Sequence, residues 1–281
     1  YKRQVQKRAE LIMLSDIAGY VGADTCGCLL AIRQDQQEEI SLMIDIGTNG
    51  EMVLGNRERM VTCSTAAGPA FEGAKIECGM RGAAGAVDHV KYEDGKWNYT
   101  TVGNKPAVGL CGSGLIDLVA GLLDAGMLDE NGVLRSGQEK QGVFILVPPE
   151  RGGNERGVYL TQKDLGEVQL AKAAIAAGIQ MLMERLGITE DDICSVYIAG
   201  AFGNYMDPVS AGKIGLLPAT LVKKVKPVGN AAGEGAKIAL VNEKEMLEMD
   251  ELVRKIEFVE LAASADFQDH FIDELGFETG E

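Results

Sequence analysis

Leu42-Met43-Ile44-Asp45-Ile46 is an almost unbroken apolar run interrupted by one acid, the pattern of a short strand buried on both faces. Asn49-Gly50 follows as a hairpin signal, which makes Glu51–Leu54 the return strand. Gly55-Asn56 turns again into a third strand over Arg59–Ser64, so residues 41–65 are expected as a three-stranded antiparallel meander. Ser195–Ala199 reads as another buried strand, Val87–Val102 as a hairpin turning at Glu93-Asp94-Gly95, and Phe258–Leu261 as an edge strand. Helices are predicted over 2–19, Val21–Ile32, about 70–78, Ser113–Ala125, Asn230–Leu240, Glu243–Arg254 and Ala265–Leu275. The longest starts at Thr161-x-x-Asp164, where an acid three residues after Thr can close a capping box, and stops at Gly187. Its middle, Ala171–Gly178, is small enough for close packing, while Gln34–Glu39 and Gly137–Gly157 read as loops.

A chain of 281 residues can bury a full core without disulfide or metal staples. Glycine, at 36 residues, is about 13% against a usual ~7%, which calls for many tight turns or close backbone approaches. The net charge is −15, and residues 243–281 carry 13 acids against three bases. Acidity and a 5% aromatic content argue against nucleic-acid binding. The six cysteines form no C-x-x-C pair, so neither a zinc site nor an iron–sulfur run is expected within the chain. Scattered reduced thiols suit a cytoplasmic protein, and no apolar run reaches the ~18 residues of a membrane span. The chain begins at Tyr1 and is read as a fragment of a longer polypeptide.

Asp45-Ile46-Gly47-Thr48-Asn49-Gly50-Glu51 delivers a carboxylate beside a glycine bend. Bare amides there can cradle phosphate oxygens, Thr48 and Asn49 can add donors, and Asp45 can organise Mg²⁺ through water. In Thr65–Gly73, Gly68 stands before a predicted helix whose N-terminus could face an anion, with Glu72 beside it. Val196–Asn204 runs a buried strand into the loop Gly200-Ala201-Phe202-Gly203-Asn204, which suits packing against a base or ribose. Each segment read alone is also compatible with a plain structural connection. Leu110–Gly114 is no nucleophile elbow, lacking glycine at 111. His89 and His270 read as structural or solvated, and Val228–Gly235 as a close helix contact.

The order of these segments resembles the actin-like ATPase superfamily of sugar kinases, actin and heat-shock chaperones. Within it, Gly22–Thr25, Asp45–Glu51, Cys63–Gly73, Cys111–Asp117, Thr161–Ala174, Ala199–Tyr205 and Val228–Gly235 are together similar to the C-terminal domain of the reductive activators of corrinoid proteins. The resemblance covers about residues 10–277. It implies an α/β, ribonuclease H-like fold with a mixed sheet flanked by helices, comprising one complete lobe plus part of the other. Residues 1–40 would be the helical remainder of the first lobe, 41–242 the nucleotide-binding lobe, and 243–281 an acidic helical segment packed on it.

The resemblance also implies ATP and Mg²⁺ as cofactors and a corrinoid protein as partner, returned from Co(II) to Co(I) for methyl transfer. Asp45 would be the catalytic and metal-organising residue. Gly47, Thr48, Asn49 and Gly50 would cradle phosphates, Gly68 and Glu72 would border the phosphate site, and Gly200, Ala201, Phe202, Gly203 and Asn204 the adenosine. The family's iron–sulfur module and first phosphate hairpin are expected upstream of Tyr1. A homodimer is compatible with this reading. A small-molecule kinase and a non-catalytic interaction module on the same fold are the alternatives.

Overall fold

The computed structural model describes residues 14–135, 142–262 and 264–277, with residue 201 by its backbone. Helix α1 (Ala23–Ile32) precedes the meander β1 (Ser41–Ile46), β2 (Gly50–Gly55) and β3 (Met60–Thr65). The hairpin of β4 (Ala86–Glu93) and β5 (Lys96–Thr101) turns at Asp94 and Gly95, both at positive φ, as a mirror-image two-residue turn requires. Strand β6 (Gly109–Leu110) leads into α2 (Gly112–Asp124). Strands β7 (Val143–Val147) and β8 (Val158–Thr161) pair with each other and feed α3 (Gln162–Leu186). Then come β9 (Ser195–Ala199), the helical turn α4 (Gly200–Gly203), α5 (Pro208–Lys213), β10 (Val225–Gly229), α6 (Ala231–Val241), α7 (Glu243–Val253), β11 (Ile256–Phe258) and α8 (Ala265–Asp273).

Six strands form the central mixed sheet in the order β10-β9-β1-β2-β3-β11. The meander is antiparallel, whereas β9 runs parallel to β1, β10 to β9 and β11 to β3. Alternation along the strands divides two apolar layers. Leu42, Ile44, Met52, Leu54 and Cys63 join the core that contains Ile175, Ile179 and Leu182 of α3. Met43, Val53 and Ala199 belong to a second cluster with Cys26, Cys28 and Leu29 of α1 and Ala231 of α6.

Glycines set how closely each layer approaches. A Cβ on Gly178 of α3 would lie 2.3 Å from the Met52 methyl, and one on Gly235 of α6 would lie 1.9 Å from the Gly27 carbonyl. The expectation of close packing in both segments therefore holds. Thr161 and Asp164 form the expected capping box at the start of α3.

Several expectations need correction. The predicted helix 2–19 lies outside the described residues up to 13, and residues 14–19 are not helical. The amides of Ile17 and Ala18 both donate to the Val21 carbonyl, which closes a turn at Gly19-Tyr20 instead. No helix forms over 70–78: Gly68 and Gly73 take φ of 76° and 77°, outside the helical region, and the segment is a run of turns. The segment Gly137–Gly157 contains β7, and 136–141 lie outside the described residues.

The predicted loop 34–39 starts with one 3₁₀ turn, because buried Gln34 donates its side-chain amide to the Ser41 carbonyl at 2.7 Å. The edge strand sits two residues early, at 256–258, paired with β3. The Gly200–Asn204 loop is one helical turn, entered through Gly200 at φ 87°.

All six cysteines are free, and four of them (Cys26, Cys28, Cys63 and Cys111) are buried. No described helix is long and apolar enough to cross a membrane.

Candidate functional site

The site is built at the end of β1, where three elements meet. Strand β1 places Asp45 opposite Ala199 of parallel β9 and opposite Glu51 of β2, and Glu51 in turn faces Ser64 of β3. Period-two alternation therefore sets Asp45, Glu51 and Ser64 in one row on the α1 side of the sheet. The Ser64 hydroxyl donates to Glu51 Oε1 at 3.3 Å. Below the row, the buried Cys28 thiol of α1 lies 3.8 Å from Asp45 Oδ2. Above it, Gly200 comes so close that a Cβ there would stand 3.0 Å from Asp45 Oδ1. Glycine at 200 thus serves both the positive φ and the room that the carboxylate needs.

The electrostatics of the row are those of crowded acids. Burial, then the charge of Asp24 on the first turn of α1, raises the Asp45 carboxyl above its ordinary range. Burial, then Asp24 and Asp45, does the same to Glu51, opposed by the Asn49 amide and Ser64 hydroxyl. The Cys28 thiol is pushed up to about 12 by burial and then by Asp45, so it remains a protonated donor. A cation placed here relieves all three acids at once. Among the described residues no group of three His, Cys, Asp or Glu side chains could hold a metal directly.

The bend 47–50 is partly self-capped. Gly47 N donates to Asn49 O at 2.9 Å, and Gly68 N donates to Thr48 O at 2.8 Å. One amide of the bend expected to be bare is therefore spent internally, and Gly68, its own amide committed to Thr48, opens no helix toward an anion. Gly50 points the other way: a Cβ there would meet the Thr65 hydroxyl at 2.9 Å and Ile175 at 3.2 Å, so it makes room for α3. Thr48 and Asn49 stand exposed at the tip. The Thr48 hydroxyl donates to Glu72 Oε1 at 2.6 Å, which brings Glu72 to the bend as expected.

The second and third segments converge as well. Phe71, next to Glu72, stacks on Phe202 of α4. The Asn204 side chain lies against Gly229, since a Cβ on that glycine would fall 3.3 Å from its amide nitrogen. Gly203 is buried against Ile198. On the same side of the sheet a groove of about 470 Å³ opens beside Tyr197, bordered by Ile32 of α1 and Ala231 and Ile238 of α6.

The remaining candidates stay apart. His89 Nδ1 pairs with the buried Asp117 carboxylate at 3.0 Å, and His270 Nε2 with Glu184 at 2.9 Å. Ser113 is spent on the Asp88 carbonyl at 2.8 Å.

Asp24 and Glu51 are the functional candidates that residue-by-residue reading passed over. The hairpin register would have found Glu51: once Ile46 faces Gly50, position 45 must face 51. Asp24 had only the helix-start position as a signal, because its approach to Asp45 is tertiary.

The family described as the C-terminal domain of RACo, the ASKHA domain, matches residues 39–281. The chain belongs to this family. Its fold is therefore the actin-like ATPase fold, here a mixed sheet flanked by helices.

The corrinoid activation enzyme RamQ of Eubacterium limosum is 38% identical over 271 residues, covering 91% of this chain and 45% of that protein. The Co(II) methylated amine-specific corrinoid protein reductase of Methanosarcina barkeri is 30% identical over 294 residues, covering 96% of this chain and 52% of that protein. A solved reductive activator for corrinoid, iron–sulfur protein superposes with a TM-score of 0.87 at 40% identity, over 94% of this chain and 44% of its own. The ASKHA chain described here spans about half the length of the curated relatives it matches.

Proposed function

We propose that this ASKHA domain binds Mg²⁺-ATP at the Asp45 end of the sheet, as part of an activator that returns a Co(II) corrinoid protein to Co(I). The observation that carries the reading is the meeting of Asp45, the Thr48-Asn49 tip and the Gly200–Asn204 turn at the ends of the parallel strands β1 and β9. In open α/β sheets such strand ends are where ligands bind. The relatives whose names refer to corrinoid activation or reduction support the wider role.

Asp45 would hold Mg²⁺ through water, with Glu51 and Asp24 adding negative charge around it. Thr48 and Asn49 would contact phosphates, and Gly200 to Asn204 would border the adenosine. When bound, the cation neutralises the triphosphate and orients it. The electron would come from an iron–sulfur segment of the longer polypeptide. Nucleotide can assist an uphill reduction only by differential binding, favouring the complex in which cobalt is easier to reduce. A cytoplasmic location and a corrinoid-protein partner go with this reading.

The test is corrinoid reduction by the full-length protein, with and without ATP, for wild type and Asp45→Asn. ATP stimulation that the variant loses is the expected result. Equal rates in all four arms would refute the role of ATP, and phosphate transfer to a small acceptor would favour a kinase.

A further inference from the structure

We propose that Glu72 is a resident competitor for the hairpin's phosphate donor, so that polyphosphate binds by exchange: a phosphate oxygen takes the Thr48 hydroxyl and Glu72 is released. The inference rests on the nucleotide reading of the Asp45 site. It adds the residue that sets how tightly, and in which charge state, the polyphosphate is held.

The geometry carries the argument. A threonine hydroxyl has one proton and serves one strong acceptor at a time. That proton is committed to Glu72 Oε1 at 2.6 Å, a charge-assisted contact. The carboxylate is held in place by its own segment. Gly68 N anchors the segment to Thr48 O, the left-handed Gly68 reverses it, and the Glu72 and Ala74 amides both donate to the Pro69 carbonyl at 3.2 Å. Glu72 thus occupies the place from which a phosphate oxygen would accept from Thr48.

Charge sets the direction of the preference. Asp24 raises the Asp45 carboxyl, and Asp24 and Asp45 raise that of Glu51, while Glu72 puts a further acid on the bend that follows β1. Lys75, the cation of this segment, is paired with Glu167 at 3.0 Å. A bare polyphosphate therefore meets like charge, whereas one complexed with a divalent cation brings the opposite sign to the same carboxylates. Release of Glu72 also loosens the segment that carries Phe71 against Phe202, so the exchange at the phosphate tip is felt at α4.

Isothermal titration of the full-length protein with ATP, in EDTA and in excess Mg²⁺, tests the exchange. Glu72→Ala is expected to bind ATP in EDTA about tenfold more tightly than wild type, the change made by ~1.4 kcal/mol. Glu72→Gln, of equal size, should gain less, because it keeps an acceptor for Thr48 while losing the charge. In a Thr48→Val background the gain from Glu72→Ala should shrink, leaving the charge contribution alone. Weaker ATP binding by Glu72→Ala in both media would make Glu72 a ligand and overturn the proposal, as would a gain undiminished by Thr48→Val. A wild type that binds no ATP in either medium removes the nucleotide reading itself. Wild-type binding matched by the Glu72 variants removes the exchange alone.

Discussion

Phe71 and Phe202 stack with ring centroids 5.7 Å apart and planes 17° from parallel, tying the segment after β3 to the turn after β9. Gly112, at the start of α2, closes the joint: a Cβ there would lie 2.1 Å from the Phe71 carbonyl and 2.7 Å from the Phe202 ring. Two parts of the candidate site are thus registered to each other through one aromatic contact.

Gly112→Ala should therefore destabilise the domain by about 2–3 kcal/mol, the usual cost of overpacking a closed contact. Urea unfolding measures it, and an unchanged midpoint would contradict the joint. Phe202→Leu, which stays apolar but loses the ring pair and some volume, should cost about 1 kcal/mol.

Asp164 joins α3 to the same segment. Its carboxylate accepts from Thr161 N and from Glu77 N, both at 2.9 Å, and it is fully buried. Asp164→Ala removes the cap and leaves the Glu77 amide unpaired, for an expected loss of about 2 kcal/mol. Asp164→Asn keeps an acceptor and should recover part of it. Equal unfolding midpoints for the two variants would show that the Glu77 tether contributes nothing.

The acid row makes a pH prediction of definite sign. Asp45 and Glu51 have folded carboxyl pKa values raised above the unfolded ones, so the folded state binds more protons in the window between the two. Stability then falls as pH rises through that window, and the penalty is complete above the folded values. Asp45→Asn or Glu51→Gln should stabilise the free domain at pH 7 by about 1 kcal/mol, with the gain fading below the ordinary carboxylate range. Thermal melts at pH 7 and pH 4 check this. In the same melts Mg²⁺-ATP should raise the Tm of wild type and not that of Asp45→Asn.

Lys172 of α3 is almost fully buried, with its ammonium 3.7 Å from Glu274 and 5.7 Å from the centre of the Phe277 ring. Lys172→Ala leaves a cavity and strips Glu274 of this partner, for a loss of about 3 kcal/mol. Limited proteolysis should then cut the α8 region first. An unaltered digestion pattern would show that α8 is held by its apolar contacts alone.

What could be read from the residues divides along a physical line. The meander 41–65 was legible because strand alternation and Asn49-Gly50 are local signals, and α3 because Thr161, Asp164 and Gly187 mark both its ends. The phantom helix at 70–78 failed because the segment folds back on itself, with Gly73 and Gly79 against each other and against Met80 and Ile76 at distances no side chain tolerates, while Asp164 of α3 takes the Glu77 amide. The site was legible as three segments but not as a charge distribution. That Asp24 raises Asp45, that Thr48 is committed to Glu72, and that Gly50 faces α3 all depend on which neighbours folding supplies.

The outermost strand beside β3 comes from far along the chain, at Ile256–Phe258, and Val259 N extends the pairing to Thr62 O at 2.8 Å. Trimming the protein back to the part that carries the candidate site would strip that cover. A row of unpaired amides and carbonyls on β3 would then be bare, a template for sticking to another molecule. Any shortened version made for crystals or assays should keep residues up to at least Leu261, or precipitation will masquerade as loss of function.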